Sequence, residues 1–153
     1  MDLILWRHAE AEDAGPRDDD LQRRLTARGE RQAERMAEWL NQRLAESTRI
    51  VVSPAVRCQQ TAAALGRKFR SEAAIGPGAN VDALLKVAGW PDAAHPVLLV
   101  GHQPTLGLVA AHLLTGNRQP WTVKKGAVWW LRLRPRDDDG EVVLQAVQAP
   151  DGF

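Results

Sequence analysis

The chain has 153 residues, 44% of them apolar and 25% charged, which suits one domain spanning residues 1–153. With 20 basic against 19 acidic residues the net charge is +1, so no general electrostatic pull towards nucleic acid or a membrane follows, and any anion site must be a local cluster of Arg and Lys. One cysteine, Cys58, excludes an intrachain disulfide, and the apolar run near the N-terminus, Leu3 to Trp6, is too short for a signal core or a membrane span. A cytoplasmic protein is expected.

Leu3 to Trp6 reads as a short buried strand. Polar residues follow as far as Leu25. Thr26 is a candidate N-cap for a helix to about Ala45, because Ala33, Met36, Ala37, Leu40 and Leu44 recur at helical spacing. Arg49 to Val52 is a second strand. Ser53-Pro54 then offers an N-cap with proline at the first helical position, and the helix is expected to reach Phe69. A short helix is expected at 81–87 and a third strand at 97–100. After Gly101-His102-Gln103-Pro104 a further helix runs to about Leu114. Residues 123–133 and 142–147 read as strands joined through Asp137-Asp138-Asp139-Gly140, a hairpin turn. Alternating strands and helices imply parallel βαβ units, so the expected class is α/β: a mostly parallel sheet with helices on both faces and a C-terminal antiparallel hairpin at one side.

Each of the three apolar strands ends in basic residues: Arg7-His8, Ser53-Pro54-Ala55-Val56-Arg57, and Gly101-His102. Parallel strands bring their carboxyl ends to one edge, where open α/β sheets bind ligands. Arg7, His8, Arg57 and His102 are therefore expected together, with helix amides after the two prolines facing the same edge. Arg binds phosphate through a two-pronged donor set, and a neutral imidazole can attack phosphorus. Such a cationic site suits phosphoryl transfer through histidine.

Four segments in order carry a family resemblance: Leu5-Trp6-Arg7-His8-Ala9-Glu10, Leu25-Thr26-Ala27-Arg28-Gly29, Ser53-Pro54-Ala55-Val56-Arg57 continuing to Thr61-Ala62, and Val100-Gly101-His102-Gln103-Pro104. Together they resemble the histidine phosphatase superfamily, whose fold is phosphoglycerate mutase-like, and the short interval between Arg57 and the third strand resembles its SixA type. The resemblance implies His8 as nucleophile, with Arg7, Arg57 and His102 as phosphate ligands and catalytic partners. Arg23, ahead of Leu25-Thr26, is implied as a further phosphate ligand, although Arg24 is adjacent. It implies phosphohistidine on a protein as substrate, such as a histidine-containing phosphotransfer domain. A monomer without cofactor is expected, and no metal, because the four histidines show no i,i+4 pairing and no Cys or Glu partner at ligand spacing.

Many members of the family use an acid between the second and third strands as proton donor to the leaving group. Glu72 and Asp82 occupy that interval outside any recognisable motif, and Asp20 is a third candidate. Two other functions stay open: a phosphatase of small phosphate esters, and a phosphate-binding module without turnover. Other residues have plain readings. Cys58 is expected as a buried, inert thiol, His95 and His112 as non-catalytic, and Asp18 and Asp19 as solvated loop charge. Lys124 and Lys125 either border the site or protect an edge strand.

Overall fold

The computed structural model describes residues 1–15, 19–135 and 140–152. Strand β1 (Asp2–Arg7) holds Leu3, Ile4, Leu5 and Trp6 with no solvent exposure. Consecutive apolar side chains need both faces of a strand covered. Leu3 and Leu5 enter one core, and Ile4 and Trp6 the other. Strands β2 (Arg49–Val52) and β4 (Val97–Gly101) divide in the same way. Ile50, Val52, Leu98 and Val100 join Ile4, while Val51, Val97 and Leu99 join Leu3. Burial stabilises by about 1.5–3 kcal/mol for each large side chain. A one-residue slip would exchange the two cores, so the pattern fixes the register.

The sheet has six strands in the order β3-β2-β4-β1-β5-β6, with β3 (Arg70–Ser71), β5 (Val128–Arg134) and β6 (Glu141–Gln148) completing it. β4 lies between β2 and β1 and is parallel to both. β5 runs antiparallel to β1, and β6 antiparallel to β5. The mixed α/β sheet with an antiparallel hairpin at one side is thus as expected. Of the expected hairpin turn, Asp137, Asp138 and Asp139 lie outside the described residues.

Helices α1 (Ala27–Asn41) and α2 (Val56–Ala63) cover the Ile4 face, and α3 (Val81–Ala88) and α4 (Thr105–Thr115) cover the other. Thr26 caps α1, its hydroxyl accepting from the Gly29 amide at 2.9 Å. α1 ends four residues before Ala45, yet Leu44 is still buried, because a tight turn bonds its amide to the Leu40 carbonyl at 2.7 Å.

Three expectations are corrected. Helix α2 stops at Ala63, well before Phe69, because Gly66 takes a left-handed conformation (φ 67°) and the chain leaves to pair β3 with β2. Its cap position is Ala55, with no side-chain cap bond; Ser53 does not cap it. Strand β5 also begins later than expected, at Val128, since Lys124 to Ala127 form a turn closed by the Ala127 amide on the Lys124 carbonyl at 2.9 Å.

Candidate active site

Arg7 pairs with Gly101 in the β1–β4 ladder, and Val52 with Val100 in the β2–β4 ladder. The pairing continues one residue further: the His8 amide donates to the Gly101 carbonyl (3.2 Å) and the Ser53 amide to the Val100 carbonyl (3.0 Å). The register therefore sets His8, Ser53 and His102 side by side. The His8 and His102 ring centres are 5.4 Å apart, and both residues are buried. Arg57, in the first turn of α2, is 3% exposed and closes the group. Arg7, His8, Arg23, Arg57 and His102 all line one cleft of about 210 Å3, with Lys125, Asp13 and the Pro77-Gly78 turn as further wall.

Backbone contacts hold His8 rigidly. The Gly126 amide donates to its carbonyl at 3.0 Å, and the Trp6 indole N–H donates to the Gly126 carbonyl at 3.0 Å. On the other side, Thr26 grips Glu10: its amide donates to the Glu10 carbonyl at 3.0 Å and its hydroxyl to the carboxylate at 2.8 Å. Only glycine fits three residues later, because a Cβ on Gly29 would lie 1.9 Å from the Glu10 carbonyl oxygen. Thr61 ties α2 to the same loop. Its hydroxyl donates to the Arg57 carbonyl (2.7 Å) and accepts from the Ala9 amide (3.1 Å).

The hydrogen bonds fix both histidine tautomers. Nδ1 of His8 lies 2.8 Å from the Ala9 carbonyl, which can only accept, so Nδ1 carries the proton and Nε2 holds a lone pair. Burial pushes the His8 pKa down to about 3, with repulsion from His102, Arg57 and Arg7 adding to it and the Ala9 bond opposing. The ring is neutral near pH 7. Nη2 of Arg57 donates towards His102 Nδ1 at 3.4 Å, so the proton of His102 is on Nε2, which donates to Ser53 Oγ at 2.7 Å. Ser53 Oγ also accepts from the Ala55 amide at 3.2 Å. Burial, then the charge of Arg57, lowers the His102 pKa to about 4.

The arginines are held through backbone oxygens. Arg7 Nη1 donates to the Val123 carbonyl at 2.9 Å, and Arg57 Nη1 to the Asp20 carbonyl at 2.8 Å. Nε of each is buried and has no partner among the described residues. Anion binding by helix amides, as expected from the two prolines, is narrowed at α4. Pro54 and Pro104 precede the helices, and the Leu106 and Gly107 amides are spent on the His102 carbonyl and the Gln103 side chain.

Asp20 accepts from Arg57 Nη2 at 3.1 Å and from Arg23 Nε at 2.9 Å. Burial raises its pKa, but the bonds and charges of Arg23 and Arg57 outweigh it and hold the carboxyl below its usual range. It is thus ionised at neutral pH, with no proton to give in this arrangement. Glu72 pairs with Arg70 and the exposed Asp82 with Arg118, and neither lines the cleft. Asp13 does line it, a position the pattern of motifs did not single out. Asp18 lies outside the described residues, and Asp19 caps the turn Asp20–Gln22. Cys58 is fully buried, its pKa pushed up to about 12 by burial, as an inert thiol should be. His95 is exposed, His112 is half-buried on α4, and neither lines the cleft. Among the described residues no three His, Cys, Asp or Glu side chains converge as a metal site would require, and no helix is long and apolar enough to cross a membrane.

A larger cleft, about 480 Å3, lies at the opposite end of β2 and β4 beside Arg49 and Val97. It contains no histidine and no buried nucleophile. Charge and geometry, and not volume, mark the site.

Comparison with known proteins agrees with this geometry. The family model described as the histidine phosphatase superfamily, branch 1, matches residues 3–80. The phosphohistidine phosphatase SixA homolog of Haemophilus influenzae is 32% identical over 136 residues, covering 78% of this chain and 80% of that protein. Phosphohistidine phosphatase SixA of Escherichia coli is 31% identical over 130 residues, covering 78% of each. A solved structure of the protein histidine phosphatase SixA complexed with tungstate superposes with a TM-score of 0.78 at 25% identity, covering 99% of this chain and 98% of that one. Since the match runs through the segments that carry Arg7, His8 and Arg57, the chain belongs to the histidine phosphatase superfamily and, within it, to the SixA type.

Proposed function

We propose that this phosphatase removes the phosphoryl group from phosphohistidine on a protein, through a covalent intermediate on His8 and without a metal ion, in the cytoplasm. The observation that carries this is the tautomer of His8: with Nδ1–H committed to the Ala9 carbonyl, the Nε2 lone pair is the free nucleophile, and a pKa of about 3 keeps it free at physiological pH. Further support comes from the relatives' names and from the tungstate complex, tungstate being a tetrahedral oxyanion like phosphate.

The steps follow from the residues. The phosphoryl oxygens displace the Asp20 carboxylate from Arg57 and are held by the guanidinium groups of Arg57 and Arg7, with Arg23 at the rim. The incoming negative charge offsets the cationic repulsion that keeps the His102 pKa low, so His102 takes up a proton on Nδ1 and donates it as a hydrogen bond to a phosphoryl oxygen. Ser53 keeps its hold on Nε2–H. His8 Nε2 forms a bond to phosphorus as the bond to the substrate imidazole breaks; the electron pair leaves with that imidazole, whose other ring nitrogen carries a proton, so the ring departs neutral. Water then attacks phosphorus, the P–Nε2 bond breaks, and phosphate departs, leaving His8 neutral. Transfer between two imidazoles is nearly balanced in energy, and a departing neutral imidazole needs little acid help. The ionised state of Asp20 is tolerable on that account.

Rapid-quench mass spectrometry of the wild-type enzyme with a phosphohistidine protein, beside a His8→Ala variant, tests this. Acid-labile phosphate on the peptide containing His8, and no turnover by the variant, is the expected result. Undiminished turnover by the variant would refute the covalent route.

One observation favours a second reading, hydrolysis of small phosphate esters: Asp13 lines the cleft, where an alkoxide leaving group would need a proton. Loss of ester hydrolysis in Asp13→Asn, with phosphohistidine turnover retained, would support it.

A further inference from the structure

The phosphate cleft does not end at its own rim. It shares Arg7 and Lys125 with a neighbouring cleft of about 360 Å3, which Lys124 and Arg28 also line. That cleft in turn shares Arg28 with a third, of about 250 Å3, flanked by Arg31 and Arg35. Arg28, Arg31 and Arg35 stand at i, i+3 and i+7 of α1, one face extending over about 10 Å. Lys124 and Lys125 come from the turn before β5 and share the middle cleft with Arg28. Among the described residues, no carboxylate lies within ion-pair distance of Arg28, Arg31, Lys124 or Lys125, and all four are exposed. The acids in this lane are Glu10, whose carboxylate accepts the Thr26 hydroxyl at 2.8 Å, and Asp151.

We propose that this lane docks an acidic protein surface beside the phosphohistidine of the substrate; the identity of that partner as a phosphoprotein rests on the function proposed above. Cations beside a buried phosphate site, in a chain of net charge +1, are a local concentration of charge. Such rim charges chiefly steer encounter and fix orientation, so they act on kcat/KM and its salt dependence. A protein surface fits better than a nucleic acid or an anionic membrane. The lane contains two carboxylates of its own, which repel a polyanion, and it leads into the cleft that holds His8.

The test uses a phosphotransfer domain, phosphorylated on histidine, in two forms whose surface residues beside that histidine are set to Glu or to Lys. Wild-type enzyme is expected to favour the Glu form about tenfold in kcat/KM, and Arg28→Glu/Arg31→Glu to favour the Lys form. Both effects should fade towards 1 M salt, where the screening length is about 3 Å. Free phosphohistidine should be hydrolysed equally by the two enzymes, which separates docking from damage to the pocket. The same preference in both enzymes overturns the proposal. Should wild-type enzyme turn over neither form, the phosphohistidine reading fails, and docking is then read from titration of the unphosphorylated domains onto His8→Ala enzyme. That titration must show the same exchange of preference, and its absence overturns the docking surface. Retention of single-stranded RNA or phosphatidylserine vesicles that needs Arg28 and Arg31, with no discrimination between the two domain forms, overturns it in favour of those ligands.

Discussion

Replacing Ser53 by alanine removes one oxygen that serves two donors, His102 Nε2–H at 2.7 Å and the Ala55 amide at 3.2 Å. Ser53 has no solvent exposure and His102 is 5% exposed, so water does not readily replace the lost acceptor. The other atom near Nε2 is Cys58 Sγ at 3.5 Å, a weak acceptor. A buried donor left unsatisfied costs about 1–3 kcal/mol, and the folded protein should lose stability in that range. The effect on rate should be separable. In the resting enzyme His102 is neutral, but on the proposed route it is an imidazolium while the phosphoryl group is in place. A hydrogen bond to a charged group contributes about 1.5–3 kcal/mol, which at 1.36 kcal/mol per decade is about a 10- to 150-fold loss in kcat. Little change in KM is expected, because Arg7 and Arg57 still hold the oxygens. Single-turnover release of phosphate from a phosphohistidine protein, with urea unfolding alongside, gives both numbers. If Ser53→Ala stays within twofold of wild type in kcat while His102→Ala loses a hundredfold or more, the Ser53–His102 bond does not hold a catalytic imidazolium.

Three further outcomes are expected. His8 and His102, with pKa values of about 3 and about 4 against 6.5 when unfolded, bind fewer protons folded than unfolded below pH 6.5, so stability is full above that pH and falls as pH falls towards 4. At about 1.4 kcal/mol per pH unit for each ring, the loss between pH 7 and pH 5 is on the order of 4 kcal/mol, and urea midpoints that stay flat across that range would contradict it. Gly29→Ala drives a methyl group against the Glu10 carbonyl and should destabilise by about 1–3 kcal/mol in thermal unfolding, despite alanine's better helix propensity. Asp20→Asn frees Arg57 and Arg23 from a half-exposed carboxylate, so inhibition by inorganic phosphate should tighten by about fivefold, the scale of an exposed ion pair, with turnover retained. A hundredfold loss of turnover with unchanged phosphate inhibition would instead make Asp20 a proton donor.

What was legible in the sequence, and what was not, divides along a physical line. Arg7, His8 and His102 end apolar strands, and parallel pairing carries strand ends to one edge whatever the loops do, so their meeting follows from pattern and topology together. Arg57 is in the first turn of the helix that β2 feeds, close enough to the strand end for the same logic to reach it. Ser53 is the contrary case. Ser-Pro ahead of an apolar run has the local form of an N-cap, and local form is all a single segment offers. The partner that decides its role, His102, is 49 residues away, so the tertiary bond overrides the local preference. Strand β3 has two residues and no alternation to read, and it exists because Arg70 and Ser71 find Val51 and Val52. Arg23 and Arg24 are equivalent by pattern; they differ in space because Arg23 bonds Asp20 and the Glu12 carbonyl and lines the cleft, while Arg24 is exposed. Lys125 was ambiguous for a related reason: as part of a strand it would be edge protection, but the left-handed Gly126 (φ 73°) turns the chain before β5 begins and brings Lys125 to the cleft. Residues delivered by regular elements can therefore be assigned from sequence, whereas those delivered by a turn or by a distant hydrogen-bond partner need the fold. Lys125, Ser53 and Asp13 belong to the second group, and substituting them distinguishes this chain's own site from what any member of its superfamily shares.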